Sequence, residues 1–277
     1  MEVHLSYSRR SNPWHYFALA FCWSWLFWIP AALLGRNVSA FPANLLFYLG
    51  GIGPLLAALV LTTLTQERAG RRDFWRRAID FRRISQGWYG VIVLTFPALI
   101  AFAILLDLLT GGSLPQFETA ARFLSRPLSF LPFALFLFIF GPVPEELGWR
   151  GVALDRLQAR RSALVASLIL GAAWALWHLP LFFMPGTYQS GLGVGSLRFW
   201  LFFIDLVPKS VLYTWIYNNT RRSTLSAVLF HFVGNLSGEL FPLPGRAESI
   251  KVALVFVVAL AVTALWGPRT LARGERV

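Results

Sequence analysis

Apolar residues fall in long blocks along this chain, and the stretches between them hold nearly all of its arginines. A helix needs about 20 apolar residues to cross a bilayer. The blocks therefore predict an all-α polytopic membrane protein of about eight transmembrane helices: Trp14–Leu34, Phe41–Thr63, Trp88–Leu108, Leu128–Leu157, Ser162–Phe182, Phe199–Tyr217, Leu225–Leu240 and Val252–Trp266. Trp14, Tyr16, Trp88, Tyr89, Trp200, Tyr217 and Trp266 fall near the ends of these blocks, where interfacial aromatics sit. No internal repeat or low-complexity segment interrupts the pattern, so residues 1–277 read as a single transmembrane domain. The first block is too long for a signal-peptide core of about 7–15 residues and is expected to remain as a helix.

The polar stretches orient the bundle. Seventeen arginines lie in the termini and even-numbered loops, against six basic residues in the odd-numbered loops. This asymmetry places both termini in the cytoplasm of a multi-pass protein of the cell (inner) membrane. In Gln66–Gln86, Phe74, Trp75, Ile79 and Phe81 interleave with arginines, which predicts an amphipathic segment lying on anionic lipid. Gly50-Gly51-Ile52-Gly53-Pro54 predicts a bend or a close helix contact within the second crossing.

Composition agrees with the pattern: 56% of residues are hydrophobic and 14% charged. The net charge of +12 is explained by lipid orientation, and nucleic acid is not an expected partner. A single cysteine, Cys22, excludes an intrachain disulfide and a cysteine metal cluster.

Charge inside the blocks changes the picture from scaffold to chemistry. Pro144-Glu145-Glu146-Leu147-Gly148-Trp149-Arg150-Gly151 puts three ionisable groups deep in the fourth crossing, where each costs about 2.5–3.5 kcal/mol. On a helix Glu146 and Arg150 are i,i+4 neighbours and can pair. Glu145 then points about 100° away, so one carboxylate is neutralised while the other faces something else, as an acid/base site requires. Pro142 and Pro144 predict either a plain kink or an opening for water beside Glu145. His178 lies on the fifth crossing, and His231 and Asn235 share one face of the seventh. Glu145 stands 17 positions before Ser162 and His178 stands 16 after it. Both therefore lie about 25 Å above the turn between their helices. His231 and Asn235 come out at about 14 and 20 Å on theirs. These groups are expected to meet in one layer around a polar intramembrane cavity. Asp205 and Lys209 are expected to pair with each other, Asp107 and Glu239 to reach water near the outer interface, and His4 and His15 to serve no site.

Glu145-Glu146-x-x-x-Arg150, an aromatic residue at 174 with His178 four positions later, and His231-x-x-x-Asn235 occur in that order within residues 144–235. Together they resemble the CPBP group, the CAAX-processing and bacteriocin-processing-related intramembrane proteases, also called Abi. The chain departs from that pattern in carrying Trp174 where phenylalanine is usual. The resemblance implies an intramembrane endopeptidase of the CAAX-processing type with a cytosol-facing cavity. Glu145 would be the base, with His178 helping it activate water; His231 and Asn235 would hold the oxyanion, and Arg150 would hold Glu146. A peptide or protein substrate is implied, such as a C-terminal tail or a membrane-associated chain. A non-catalytic immunity or partner-binding protein on the same scaffold is the alternative.

Members of the group have been classed as metalloproteases, and a metal-free glutamate mechanism is also proposed for it. Zinc could take Glu145, His178 and His231 as three ligands. Asparagine at 235 is a poor zinc ligand but a good oxyanion donor, and no His-Glu-x-x-His spacing is present. The expectation is therefore water activation without a cofactor.

Overall fold

The computed structural model describes residues 12–273, which are helical, with no strand among the described residues. His4, Arg9, Arg10 and Arg276 lie outside the described residues. Helix α1 (Pro13–Leu33) starts at Asn12, whose side chain accepts from the Trp14 amide, and has Pro13 in its first turn, where the missing N–H costs nothing.

The second crossing is α2 (Ala43–Gly51) and α3 (Gly53–Thr65), bent by 43° at Ile52. Pro54 has no N–H to offer the Gly50 carbonyl one turn back. Helix α1 supplies the missing donors: Ser24 Oγ to Gly50 O at 2.7 Å, Trp23 Nε1 to Leu49 O at 2.8 Å and Trp28 Nε1 to Phe47 O at 2.9 Å. Backbone freed at membrane depth is tolerated only where protein or water satisfies it, and here a neighbouring helix does so.

Helix α4 (Arg68–Ile79) has two unlike faces. Trp75, Ile79 and the following Phe81 are exposed, as a segment lying on lipid requires. Phe74 and Arg77 are buried, so the segment also plugs the end of the bundle. Helix α5 (Gln86–Leu109) and the short α6 (Glu118–Ser125) follow. The fourth crossing is broken into α7 (Phe130–Phe140), α8 (Pro142–Gly148), a π turn over Trp149–Ala153, and α9 (Leu154–Gln158). Helix α10 (Ala163–Trp177) runs on through a 3-10 turn, Leu179–Phe183, to α11 (Tyr188–Leu192). Then come α12 (Leu197–Asn219), α13 (Thr224–Leu240) and α14 (Gly245–Trp266).

Six segments are long and apolar enough to cross a membrane, and the bent pair α2–α3 makes a seventh. The remaining crossing expected from the sequence, Leu225–Leu240, corresponds to α13, which has 17 residues. At 1.5 Å per residue that is about 26 Å, less than the roughly 30 Å of a hydrocarbon core. Helix α13 packs against α5, α8 and α12. It is an interior helix, which is why it can carry polar residues.

Two glycines set the closest helix approaches. A Cβ on Gly148 would fall 2.2 Å from the Tyr16 hydroxyl and 2.6 Å from the Pro54 carbonyl oxygen. One on Gly171 would fall 2.8 Å from Val207 Cα. Helices α8 and α10 thus meet their neighbours backbone to backbone.

Several charged groups sit differently from the sequence expectation. Asp107 is only 4% exposed and pairs with Arg246, which also donates to its main-chain carbonyl. Asp205 pairs with Lys209 at 2.6 Å as expected, and Lys251 joins at 3.6 Å. Arg156, counted among loop charges, is buried and donates to Thr65 Oγ1 at 3.2 Å.

Candidate active site

The site begins where the fourth crossing breaks. Gly141 adopts φ −128° and ψ −82°, outside the helical region, and Pro142 starts α8 one residue later. The prolines at 142 and 144 donate nothing to the carbonyls of Phe138 and Phe140. Glu145 occupies the first turn of the new helix, with its amide on Gly141 O at 3.3 Å.

Glu146, next in the chain, is fully buried and closed. Arg150 Nη1 donates to both of its oxygens, at 2.9 and 3.0 Å, and His231 Nδ1 lies 2.9 Å from Oε1. Arg150 is itself fully buried, with Nη2 on Ser210 Oγ at 3.3 Å and its guanidinium over the rings of Tyr213 at 4.3 Å and Trp174 at 5.0 Å. A buried charge survives only when paired and hydrogen-bonded, and this pair has both.

Glu145 is held on one side only. Its Oε2 accepts from Trp174 Nε1 at 2.5 Å, and among the described residues no other side chain donates to it. Both Glu145 and His178 keep 8% of their surface exposed. His178 caps α10: its amide turns to Ala175 O at 3.2 Å, leaving the Trp174 carbonyl free. His178 Nδ1 takes that carbonyl at 2.8 Å. A carbonyl only accepts, so Nδ1 carries the proton and Nε2 keeps its lone pair. The same reasoning fixes His231, whose Nδ1 faces a carboxylate oxygen. Trp174 joins the two halves, since its ring packs edge-on against His231 with centroids 5.3 Å apart.

Asn235 lies one turn beyond His231 on α13, half-buried. Its Nδ2 would be 3.6 Å from a Cβ on Gly141, which places it against the break that leads into Glu145. Glu145, Glu146, Arg150, His178, His231 and Asn235 are thus gathered around one point of the bundle.

A zinc ion needs three protein ligands around one point. Among the described residues no three His, Cys, Asp or Glu side chains are placed to hold one metal ion. The set Glu145, His178 and His231 does not fit zinc in this geometry.

Sequence reasoning passes over Trp174 as an aromatic filler and misses Ser210, Tyr213 and Arg77. The indole N–H of Trp174, four residues before His178 in an apolar helix, is the one signal that pointed to a partner. Arg77 donates to Gly151 O at 3.0 Å, to Asp155 at 2.9 Å and meets the Tyr217 hydroxyl at 2.5 Å. It ties α4 to the π turn one residue after Arg150.

Residues 127–237 match the family model for the type II CAAX prenyl endopeptidase Rce1-like family, a stretch that contains every residue of this site. Along nearly its whole length the chain is similar to the CAAX prenyl protease 2 of Methanococcus maripaludis, 33% identical over 257 residues that cover 92% of this chain and 94% of that protein. The polar cluster at a helix break, the bundle of membrane-crossing helices and this likeness point the same way: the chain belongs to the Rce1-like family of type II CAAX prenyl endopeptidases and is a multi-pass membrane protease.

Proposed function

We propose that the protein cleaves a peptide bond near the C-terminus of a prenylated, membrane-associated protein or peptide, using water activated by Glu145 and His178 without a metal ion. The substrate class follows the family and the name of the archaeal relative. The observation that carries the roles is the division between two adjacent carboxylates: Glu146 is saturated by Arg150 and His231, whereas Glu145 keeps one oxygen for something outside the protein.

In this scheme a water lies between the free oxygen of Glu145 and Nε2 of His178, both acceptors. One of them takes a proton as the water oxygen attacks the scissile carbonyl carbon, and general-base help of this kind contributes about 10²–10⁴-fold. The C=O π electrons move to oxygen, and Asn235 Nδ2–H donates to the oxyanion so formed. His231 adds a second donor from Nε2 when doubly protonated, with Glu146 as its counter-charge. The captured proton then passes to the leaving amine as the C–N bond breaks. Arg150 holds Glu146 and through it the ring of His231. The protein is placed in the cell membrane with both termini in the cytoplasm and its only other partner the lipid bilayer.

The test is incubation of the protein in nanodiscs with a farnesylated peptide ending in Cys-aliphatic-aliphatic-X, followed by mass spectrometry. Wild type is expected to release the residues after cysteine, and Glu145→Gln to release none. Equal cleavage of the unprenylated peptide would overturn the substrate class, and full activity of Glu145→Gln would overturn the base.

A further inference from the structure

We infer that Trp174 is a positioning residue for the proposed base, its indole N–H clamping one oxygen of Glu145 so that only the other can meet water. The inference rests on the reading of Glu145 as the group that activates water. Trp174 Nε1 lies 2.5 Å from Glu145 Oε2. The indole is 2% exposed, so without the carboxylate its N–H would be an unpaired buried donor. The ring has no room to swing away. Tyr213 meets it edge-on with centroids 5.4 Å apart, His231 does so at 5.3 Å, and the Arg150 guanidinium covers it at 5.0 Å.

The same residue holds His178 through its backbone, since the carbonyl freed at the end of α10 accepts from Nδ1 at 2.8 Å. Trp174 therefore orients both acceptors of the attacking water, one by side chain and one by main chain. A carboxylate free to rotate about its last bond spreads its lone pairs over many directions. A clamped one presents a single oxygen at a fixed angle to its neighbour, and such pre-orientation is a large part of what an active site contributes. Phenylalanine, usual at this position of the motif, would fill much of the same space without the donor. This chain has built a hydrogen bond into a place where shape alone would suffice for packing.

The experiment removes the donor and keeps the shape. With 12 tryptophans in the chain, replacement must be at one codon. Benzothienylalanine, in which sulfur replaces the indole N–H, is introduced at 174 by nonsense suppression, with Trp174→Phe as the encoded companion. On the farnesylated peptide kcat is expected to fall about tenfold, the size of a hydrogen bond to a charged group. KM should stay within about twofold and melting in detergent should be unchanged, since packing is kept. A second readout needs no substrate. In ¹⁵N-indole NMR the resonance missing from Trp174→Phe is assigned to Trp174, and in Glu145→Gln it is expected to move upfield, because a neutral acceptor polarises the N–H less. Wild-type kcat in the benzothienylalanine protein would overturn the inference, as would an indole resonance indifferent to Glu145→Gln. Full activity of Glu145→Gln with a shifted resonance would instead overturn the role of Glu145 while leaving the contact in place.

Discussion

The broken fourth crossing carries two acidic centres, and they are finished differently. Asp155, on α9, receives Tyr217 and Arg222 Nε on one oxygen, at 3.0 and 3.3 Å, and Arg77 and Arg222 Nη2 on the other, at 2.9 and 2.5 Å. The charge of Asp155 in turn keeps the Arg222 guanidinium protonated well above the ordinary arginine range. Glu145, on α8, is the more buried of the two carboxylates, yet it receives one indole N–H. If stability alone shaped these centres, the more buried carboxylate would have the more donors, because the cost of an unmatched charge rises with burial. The inversion marks Asp155 as a structural latch and Glu145 as a group kept open for a substrate.

The contrast is broken or sharpened by substitution, and the largest effect belongs to the open centre. Glu145→Gln is expected to lower kcat/KM about a thousandfold with melting in detergent nearly unchanged, and a strong loss of stability instead would make Glu145 structural. Glu146→Gln should do the reverse: it strands Arg150 in the core, and breaking a buried pair costs about 3–5 kcal/mol, read as a lower melting temperature and poor yield. Arg77→Met tests the latch. Asp155 keeps Arg222 and Tyr217, so the expected loss is about 1–3 kcal/mol, with kcat reduced far less than in Glu145→Gln. The smallest effect is expected from exhaustive chelation of active protein, which should leave activity unchanged. Loss of activity that returns on adding zinc would mean that the second oxygen of Glu145 is a ligand.

Much of this is legible in the sequence, and for a physical reason. Glu146 with Arg150, and Asp205 with Lys209, are pairs that i,i+4 spacing on a helix nearly dictates, and both form. Proline one turn after Gly50 announces the bend that α2 and α3 show. What stays hidden is direction. Arg71 and Arg77 read alike, as basic residues of one amphipathic segment, yet Arg71 is exposed and Arg77 is buried against three acceptors. Charge counting across loops cannot separate them, because only the packing of α4 decides which face turns inward. Leu225–Leu240 misleads in a similar way: hydropathy reports that it avoids water, and cannot say whether its surroundings are lipid or protein. Trp174 escapes notice because an indole in an apolar helix has the same hydropathy whether or not its N–H has a partner.

The π turn at Trp149–Ala153 gives the two centres separate phases on one helix. A π turn amounts to one residue inserted into a regular helix, and each residue advances the helix by about 100°. Deleting Val152 would restore a regular helix and rotate everything beyond it by that angle relative to α8. Asp155 would swing away from Arg77 and Arg222, while Glu145, Glu146 and Arg150 would keep their register. The chain thus holds an insertion that cannot be removed singly. A shorter relative lacking that residue would need its acidic latch one position along, so in an alignment gaps near 152 should travel with the position of the acid that replaces Asp155.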